Sequence, residues 1–351
     1  MMQTIERDTQ SLPKSAVPTV LVLGAAGRFG SEACLAFAKA GWQVYAQARK
    51  DLPRSLVQAV HFIEADALDV EGIVRQLPSP QSVKIIVHAL NPDYARWDSL
   101  LPPITEAVIQ LAQRCGARVL IPGNVYNFGS ELPEMLTEST PFVSNTEKAR
   151  QRIAMEQRFA EASGQGMTAS IIRAGDFIGG RGTWLDMAIA KSLKKSEFTV
   201  MGPQHLPHAW AYLPDLARAF VKVAEHDHQL AAYEVFHYPG ITASMNELQA
   251  AFQQLLGLPL QVKTMPWTLL HVVALFSPLM RAVLPMRYLW QRPHRLSGEK
   301  LMRLIGPLPQ VSLQQALREY LPQEPSKVNT IQQKKTRDQR ARRQNWSELS
   351  S

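Results

Sequence analysis

One stretch restricts the fold of this 351-residue chain more than any other. It is Thr19-Val-Leu-Val-Leu-Gly-Ala-Ala-Gly-Arg-Phe-Gly30, where a strand-like apolar run enters glycines 24, 27 and 30 and then a helical pattern. Each glycine has its own task in a turn made for a dinucleotide. Gly24 permits the tight exit from the strand, Gly27 lets backbone approach a pyrophosphate, and Gly30 lets helix and strand pack closely. Arg28 and Phe29 fall at the helix start, where backbone amides face phosphate. Spaced glycines also serve packing alone, so the rest of the chain must decide between the two uses.

Beyond the turn, strand and helix patterns alternate regularly. The first helix presents Ala33, Leu35, Phe37 and Ala38 and breaks at Gly41, ahead of a strand over 43–47. Further strands are expected over 60–64, 83–88, 117–121 and 167–172, with helices near 99–115 and over 147–163. This spacing implies an α/β fold, a Rossmann-like doubly wound parallel sheet with helices on both faces. Past Arg173 the alternation fails, and a smaller, mostly helical C-terminal substrate domain is expected, with Tyr233–His237 returning to the main sheet. The expected division is a flexible segment 1–17, an NAD(P)-binding domain 18–173, a substrate-binding region 174–325 and a basic disordered tail 326–351.

Composition narrows the function classes. Hydrophobic residues are 46% and charged residues 19% of the chain, ordinary globular usage. The net charge of +8 is unevenly placed: residues 327–351 hold seven Lys and Arg against Asp338 and Glu348, so 7 − 2 = +5 lies there. The folded part is nearly neutral, the tail reads as a solubilising extension, and no nucleic-acid partner is expected. Cys34 and Cys115 carry neither a disulfide framework nor metal-ligand spacing, which fits a reducing cytoplasm. Met1–Pro18 lacks the pattern of a signal peptide. The apolar stretch Met265–Met280 is broken by Pro266, His271 and Pro278 and is shorter than a membrane span; a buried helix pair is expected, with contact at a membrane surface left open. No metal site is expected, because His205 and His208 stand in a Pro-rich loop without a partnering acid. A Ser-His-Asp or nucleophile-elbow pattern is also absent.

Four landmarks together carry a resemblance: the GxxGxxG turn, Ala65-Asp66 after the third strand, Val125-Tyr126 after the fifth, and Trp210-Ala-Tyr-Leu-Pro-Asp-Leu-Ala217. Over about residues 18–325 the chain resembles the extended branch of the short-chain dehydrogenase/reductase superfamily, which includes nucleotide-sugar epimerases and dehydratases. The resemblance implies that Asp66 lies against the adenine amino group, whereas Asp215 is expected to cap a helix. It also implies a serine or threonine after strand five and a tyrosine four residues before a lysine on the next helix. Here Pro122, Gly123 or Asn124 occupies the hydroxyl place, Lys148 the tyrosine place and Arg152 the lysine place, with Glu156 matching a later acid.

Tyr126 and Lys148 are therefore the candidate proton-handling groups, and Asn124 is a candidate for polarising a carbonyl. Arg152 is expected either at the nicotinamide ribose or in an ordinary ion pair with Glu156. His88 is expected beside the cofactor, and Asn91, Asp176 and Tyr212 near the cleft. Strand two ends Ala46-Gln-Ala-Arg-Lys50 without an acid for the ribose 2′-hydroxyl, so Arg49, with Arg28, favours NADP over NAD. The expected function is that of an oxidoreductase or an epimerase/dehydratase-like enzyme acting on a small polar carbonyl or sugar-like substrate. The alternative is a non-catalytic NAD(P) sensor resembling NmrA-like proteins. A homodimer is left open.

Overall fold

The computed structural model of the protein describes residues 17–308 and 310–321. The expectations for residues 1–16 and for the basic tail lie outside them. The first half follows the alternation in order: β1 (Thr19–Leu23), α1 (Arg28–Lys39), β2 (Gln43–Ala48), β3 (His61–Glu64), α2 (Val70–Gln76), β4 (Val83–His88), α3 (Trp97–Cys115) and β5 (Arg118–Gly123). After the short β6 (Met135–Leu136) come α4 (Glu147–Ser163) and β7 (Thr168–Arg173). The second half contains β8 (Asp176–Ile178), α5 (Lys191–Leu193), β9 (Glu197–Val200), β10 (His208–Tyr212), α6 (Leu213–Glu225), β11 (Tyr233–His237), β12 (Ile241–Ala243), α7 (Met245–Leu256) and β13 (Gln261–Thr264). It closes with α8 (Trp267–Phe276), α9 (Pro278–Val283), β14 (Arg295–Leu296), α10 (Glu299–Ile305) and α11 (Leu313–Leu317).

Seven strands form one sheet in the order β11-β7-β5-β4-β1-β2-β3, every pair of neighbours parallel. Strand periodicity explains why both faces are covered. In β1, Val20 and Val22 pack with α1, α6 and α10, while Leu21 and Leu23 pack with α2, α3 and α4. The chain leaves β1 towards β2 on one side and later returns to β4 on the other. This reversal opens a crevice beyond the carboxyl ends of β1 and β4, the place where ligands bind in such sheets. A third core, built around Phe198, Trp210, Phe252 and Trp290, holds the C-terminal region together. There β10 is central, parallel to β8 and antiparallel to β12.

Two local expectations are corrected and a third is widened. Asp215 is not the cap of α6: the cap position is Tyr212, and buried Asp215 binds Arg218 at 2.5 Å and the Val311 amide at 3.0 Å, tying the C-terminal segment to the helix. The packed face of α1 is wider than expected: Phe29 and Cys34 join the buried Ala33 and Phe37, with Leu35 and Ala38 partly buried against the same core. The stretch Met265–Met280 is not a buried helix pair, since of the ten residues of α8 only Trp267 and Ala274 are buried.

One buried ion pair joins the sheet to the site. Arg173, at the end of β7, donates to both oxygens of Glu156 on α4, at 3.2 and 2.7 Å, and to the Asn124 carbonyl after β5 at 2.5 Å. Its guanidinium also lies 5.4 Å from the ring centre of Phe128 and 5.2 Å from that of Phe142. Removing one partner of such a pair leaves a charge in a medium that cannot solvate it. Glu156→Ala is expected to lower unfolding free energy by about 3–5 kcal/mol in urea titration. A loss below about 1 kcal/mol would show that the carbonyl and the two rings hold Arg173 without the carboxylate.

Candidate functional site

The glycine turn is shaped for backbone. Gly24 has φ +77°, and a side chain on it would stand 3.0 Å from the Ala89 carbonyl oxygen. A Cβ on Gly30 would collide with the Gly24 carbonyl, so α1 could not lie this close to β1. At the start of α1, Gly27 provides no side-chain cap and the first turn holds no acid. The amides there are accordingly suited to an anion. Gln47, which sequence reasoning passed over, fixes the turn from β2: its side chain accepts from the Gly24 amide at 3.0 Å and donates to the Ala65 carbonyl at 2.7 Å. A glutamine inside an otherwise buried strand was the available signal.

His88 ends β4 directly opposite Leu23 of β1 and is buried with no partner on Nδ1. Burial, helped by the Arg152 guanidinium, pushes its pKa down to about 3, so the ring is neutral. Arg152 is also buried; it donates to the Pro122 carbonyl at 2.9 Å and has no partner on Nε. Glu156 is 4.0 Å away, its oxygens given to Arg173, so the expected simple pair of Arg152 with Glu156 is a three-membered cluster. Orphaned polar atoms on His88 and Arg152, the uncapped helix start and the glycine turn all fit a dinucleotide lying across this crevice.

Tyr126 and Lys148 meet through a residue the sequence did not single out. The Tyr126 hydroxyl is 3.1 Å from the Tyr94 hydroxyl, and Lys148 Nζ donates to the Tyr94 carbonyl at 2.7 Å and to Gln151 at 3.0 Å. Lys148 also lies 4.9 Å from the centre of the Trp97 ring, on which Tyr94 stacks at 4.6 Å. Burial lowers the Lys148 pKa, opposed by Glu147, Asp98 and Asp93. It raises both phenols, Tyr126 well above 10. The Asn124 side chain accepts from the Tyr126 amide at 3.0 Å and so shapes the turn that carries the phenol.

Asp176, on β8, and His208, on β10, form a pair at 2.7 Å, so His208 sits on a strand with an acid partner rather than in a loop without one. The parallel pairing of β8 with β10, in which Trp210 lies opposite Asp176, brings together residues 32 apart in sequence. The His208 ring stacks on Trp290 at 4.4 Å with planes 6° apart, and His294 meets it edge-on at 4.4 Å. Asp176 is the more exposed partner, and its charge raises the pKa of Tyr94, Tyr126 and Tyr288. It therefore shares the cleft with the tyrosines. Among the described residues no cluster of three or more His, Cys, Asp or Glu could hold a metal ion.

Three expected cofactor contacts stand outside these hydrogen-bonded pairs, although Arg28 is near enough to Tyr94 for its charge to lower that pKa against the larger effect of burial. The Arg28 side chain is bound by the carbonyls of Arg181 at 2.9 Å and Gly182 at 3.0 Å. Arg49 is exposed just past β2. Asp66 is exposed in the turn before α2, where one carboxylate oxygen accepts from the Leu68 amide at 2.9 Å.

This geometry agrees with the comparisons. The model of the NAD dependent epimerase/dehydratase family matches residues 20–237, and the chain belongs to that family. Several solved structures share the fold. A putative epimerase from Burkholderia cenocepacia J2315 is 18% identical, with a TM-score of 0.66, over 86% of this chain and 96% of that one. A UDP-glucose-4-epimerase from Stenotrophomonas maltophila with bound NAD and formylated UDP-arabinopyranose is 16% identical, TM-score 0.67, over 86% and 96%. A UDP-glucuronic acid 4-epimerase from Bacillus cereus in complex with NAD is 17% identical, TM-score 0.66, over 85% and 94%. No curated protein matches the sequence. The chain is thus an NAD(P)-binding, epimerase-like protein of the extended short-chain dehydrogenase/reductase type, and nothing favours the NmrA-like alternative.

His88 shares its depressed pKa with His237 and His294, each held near 3 chiefly by burial. An unfolded imidazole titrates near 6.5, so between about 6.5 and 3 the unfolded chain binds more protons. Stability is therefore expected to fall as pH drops from 7 to 5, and His88→Gln should flatten that dependence. Urea midpoints measured at each pH would check this, and a wild-type midpoint constant over the range would overturn it.

Proposed function

We propose that this chain is an NAD(P)-dependent enzyme acting on a small polar carbonyl or sugar-like substrate, with Tyr126 handling the substrate proton. The observation that carries this reading is the pair of tyrosine hydroxyls 3.1 Å apart, in electrostatic reach of Arg152 and Asp176. Bound nicotinamide would supply or remove the hydride. Tyr126, held protonated by burial, donates to the substrate oxygen, and Tyr94 passes the replacement proton along the hydroxyl pair. The Asp176–His208 pair stands behind the phenols as the proton reservoir, returning a proton to Tyr94 when substrate is reduced and taking one up at Asp176 when the substrate hydroxyl is oxidised. Lys148, bonded to the Tyr94 carbonyl, positions Tyr94, and Asn124 holds the Tyr126 turn.

For the cofactor, we assign the pyrophosphate to Gly24, Gly27, Gly30 and the amides of Arg28 and Phe29. The nicotinamide ribose is assigned to Arg152 with His88 beside it, and the adenine amino group to Asp66. NADP is preferred over NAD, because Arg49 follows a strand end that has no acid. An apolar groove between α3 and α4, lined by Leu101, Pro102, Ala154 and Met155, supports a homodimer. Cys34 and Cys115 are buried and free, with burial pushing their thiols up to about 12 and 11, which supports a reducing, cytoplasmic setting.

Two measurements test this reading. Calorimetric titration should show NADPH binding more tightly than NADH, with Arg49→Ala erasing the difference and Gly27→Val abolishing both. Equal affinities in the wild type would remove the NADP assignment. Hydride exchange from labelled NADPH over aldehydes, ketones and UDP-sugars should fall about 10²- to 10⁴-fold in Tyr126→Phe, with cofactor affinity nearly unchanged. Binding without exchange on any substrate would leave a sensor, and exchange unaffected in Tyr126→Phe would move the proton chemistry elsewhere.

A further inference from the structure

The hairpin α8–α9 breaks the rule that an apolar helical stripe faces the core. Leu269, Val272, Val273 and Phe276 stand at i, i+3, i+4 and i+7, the spacing of a single helix face. That face points to solvent: Phe276 is 83% exposed, Leu269 58% and Val272 55%. Leu275 and Leu279 extend the exposed apolar surface into α9. A contiguous patch of this kind on a folded chain marks a surface that something covers.

Charge identifies the occupant. From Met265 to Gly298 the sequence holds Arg281, Arg287, Arg292 and Arg295 and no Asp or Glu, a net charge of +4, of which Arg295 is answered by Glu134 at 3.5 Å. Arg281 and Arg292 are exposed, and Arg287 lies against the Trp267 ring at 5.1 Å. The basic residues 327–351 add +5. These residues would be repelled by the arginines, which disfavours the chain's own C-terminal segment as the cover. Among the described residues no helix is long and apolar enough to cross a membrane, and α8 and α9, of ten and six residues, are far short of it. An exposed apolar stripe flanked by cations, too short to span, is suited to lying in the headgroup region of an anionic bilayer.

The geometry points to docking of the α8–α9 hairpin on an anionic phospholipid surface. Phe276, Leu275, Val272 and Leu269 enter the headgroup boundary, and Arg281, whose guanidinium lies at the Leu275 carbonyl, meets the phosphates. Helix α9 packs against the turn Tyr94–Arg96 that carries one of the two paired phenols, so docking sets the rim of the cleft against the membrane. This proposal goes beyond the reading of the cleft and does not depend on it.

The test is co-sedimentation of the full chain with phosphatidylcholine vesicles containing phosphatidylglycerol, and with phosphatidylcholine vesicles alone. Retention is expected on the anionic vesicles only and should weaken with salt. The double substitution Leu275→Asp with Phe276→Asp should lower it about tenfold or more while leaving NADPH affinity and melting temperature unchanged, since both side chains are exposed. Truncation after Pro325 should keep most of the retention. Three results would overturn the proposal: no retention, retention unchanged in the double variant, or retention lost on truncation alone. A dimer that sediments as a monomer in the double variant would instead assign the patch to a second copy.

Discussion

The buried charge pair of Arg173 with Glu156 is the constraint on which the cleft depends. An isolated guanidinium inside a protein costs several kcal/mol in lost hydration, so the chain must supply partners from every side. It does so with a carboxylate from α4, a carbonyl from the segment after β5 and two aromatic faces. Meeting that demand fixes the end of β5 against the end of β7 and the middle of α4. The loop bearing Asn124 and Tyr126 is held at the Asn124 carbonyl, two residues from the phenol. Gly123 belongs to the same arrangement, since a side chain there would meet Ile171 at 2.8 Å and the Arg173 Cα at 3.1 Å.

Around that fixed point the cleft is a set of groups whose protonation is decided by burial. His88 is neutral and the two phenols are protonated. Arg152, although desolvated, keeps Glu156 close enough to favour its charge. The result is a permanent cation facing neutral hydrogen-bonding groups, with one carboxylate, Asp176, towards the open side. In a low-dielectric crevice such fixed charges act on a bound polar group more strongly than they would in water.

The sequence disclosed the part of this design that rests on local pattern. Glycines 24, 27 and 30, the fully buried strand before them and the capped helix 147–163 are each specified by neighbours within a few residues. The elements built on them were legible for that reason. Tyr94, Gln47 and the pair of Asp176 with His208 were not, because their roles arise from pairing across strands or from contacts between distant loops. The reading of Asp215 as a cap shows the reverse error: a good local explanation was displaced by a contact 96 residues away, with Val311. The stretch 265–280 was misread because apolar content alone does not say which face of a helix the fold will cover.

The departures from the usual catalytic set also hang together physically. Pro122, one of the three residues at the hydroxyl place, accepts a bond at its carbonyl, and the donor is Arg152 from the lysine place. A lysine there could exchange a proton; an arginine cannot, and it acts instead as a fixed charge and a planar donor. The ammonium has moved one helical turn earlier, to Lys148, where it is bound to the Tyr94 carbonyl rather than set beside a phenolic oxygen. In the proposed function, proton traffic in the crevice falls to the two phenols and to the pair of Asp176 with His208. On the proposed reading, α4 contributes the fixed charge of Arg152, and the proton chemistry lies with Tyr94 and Tyr126 and with the pair that β8 and β10 hold.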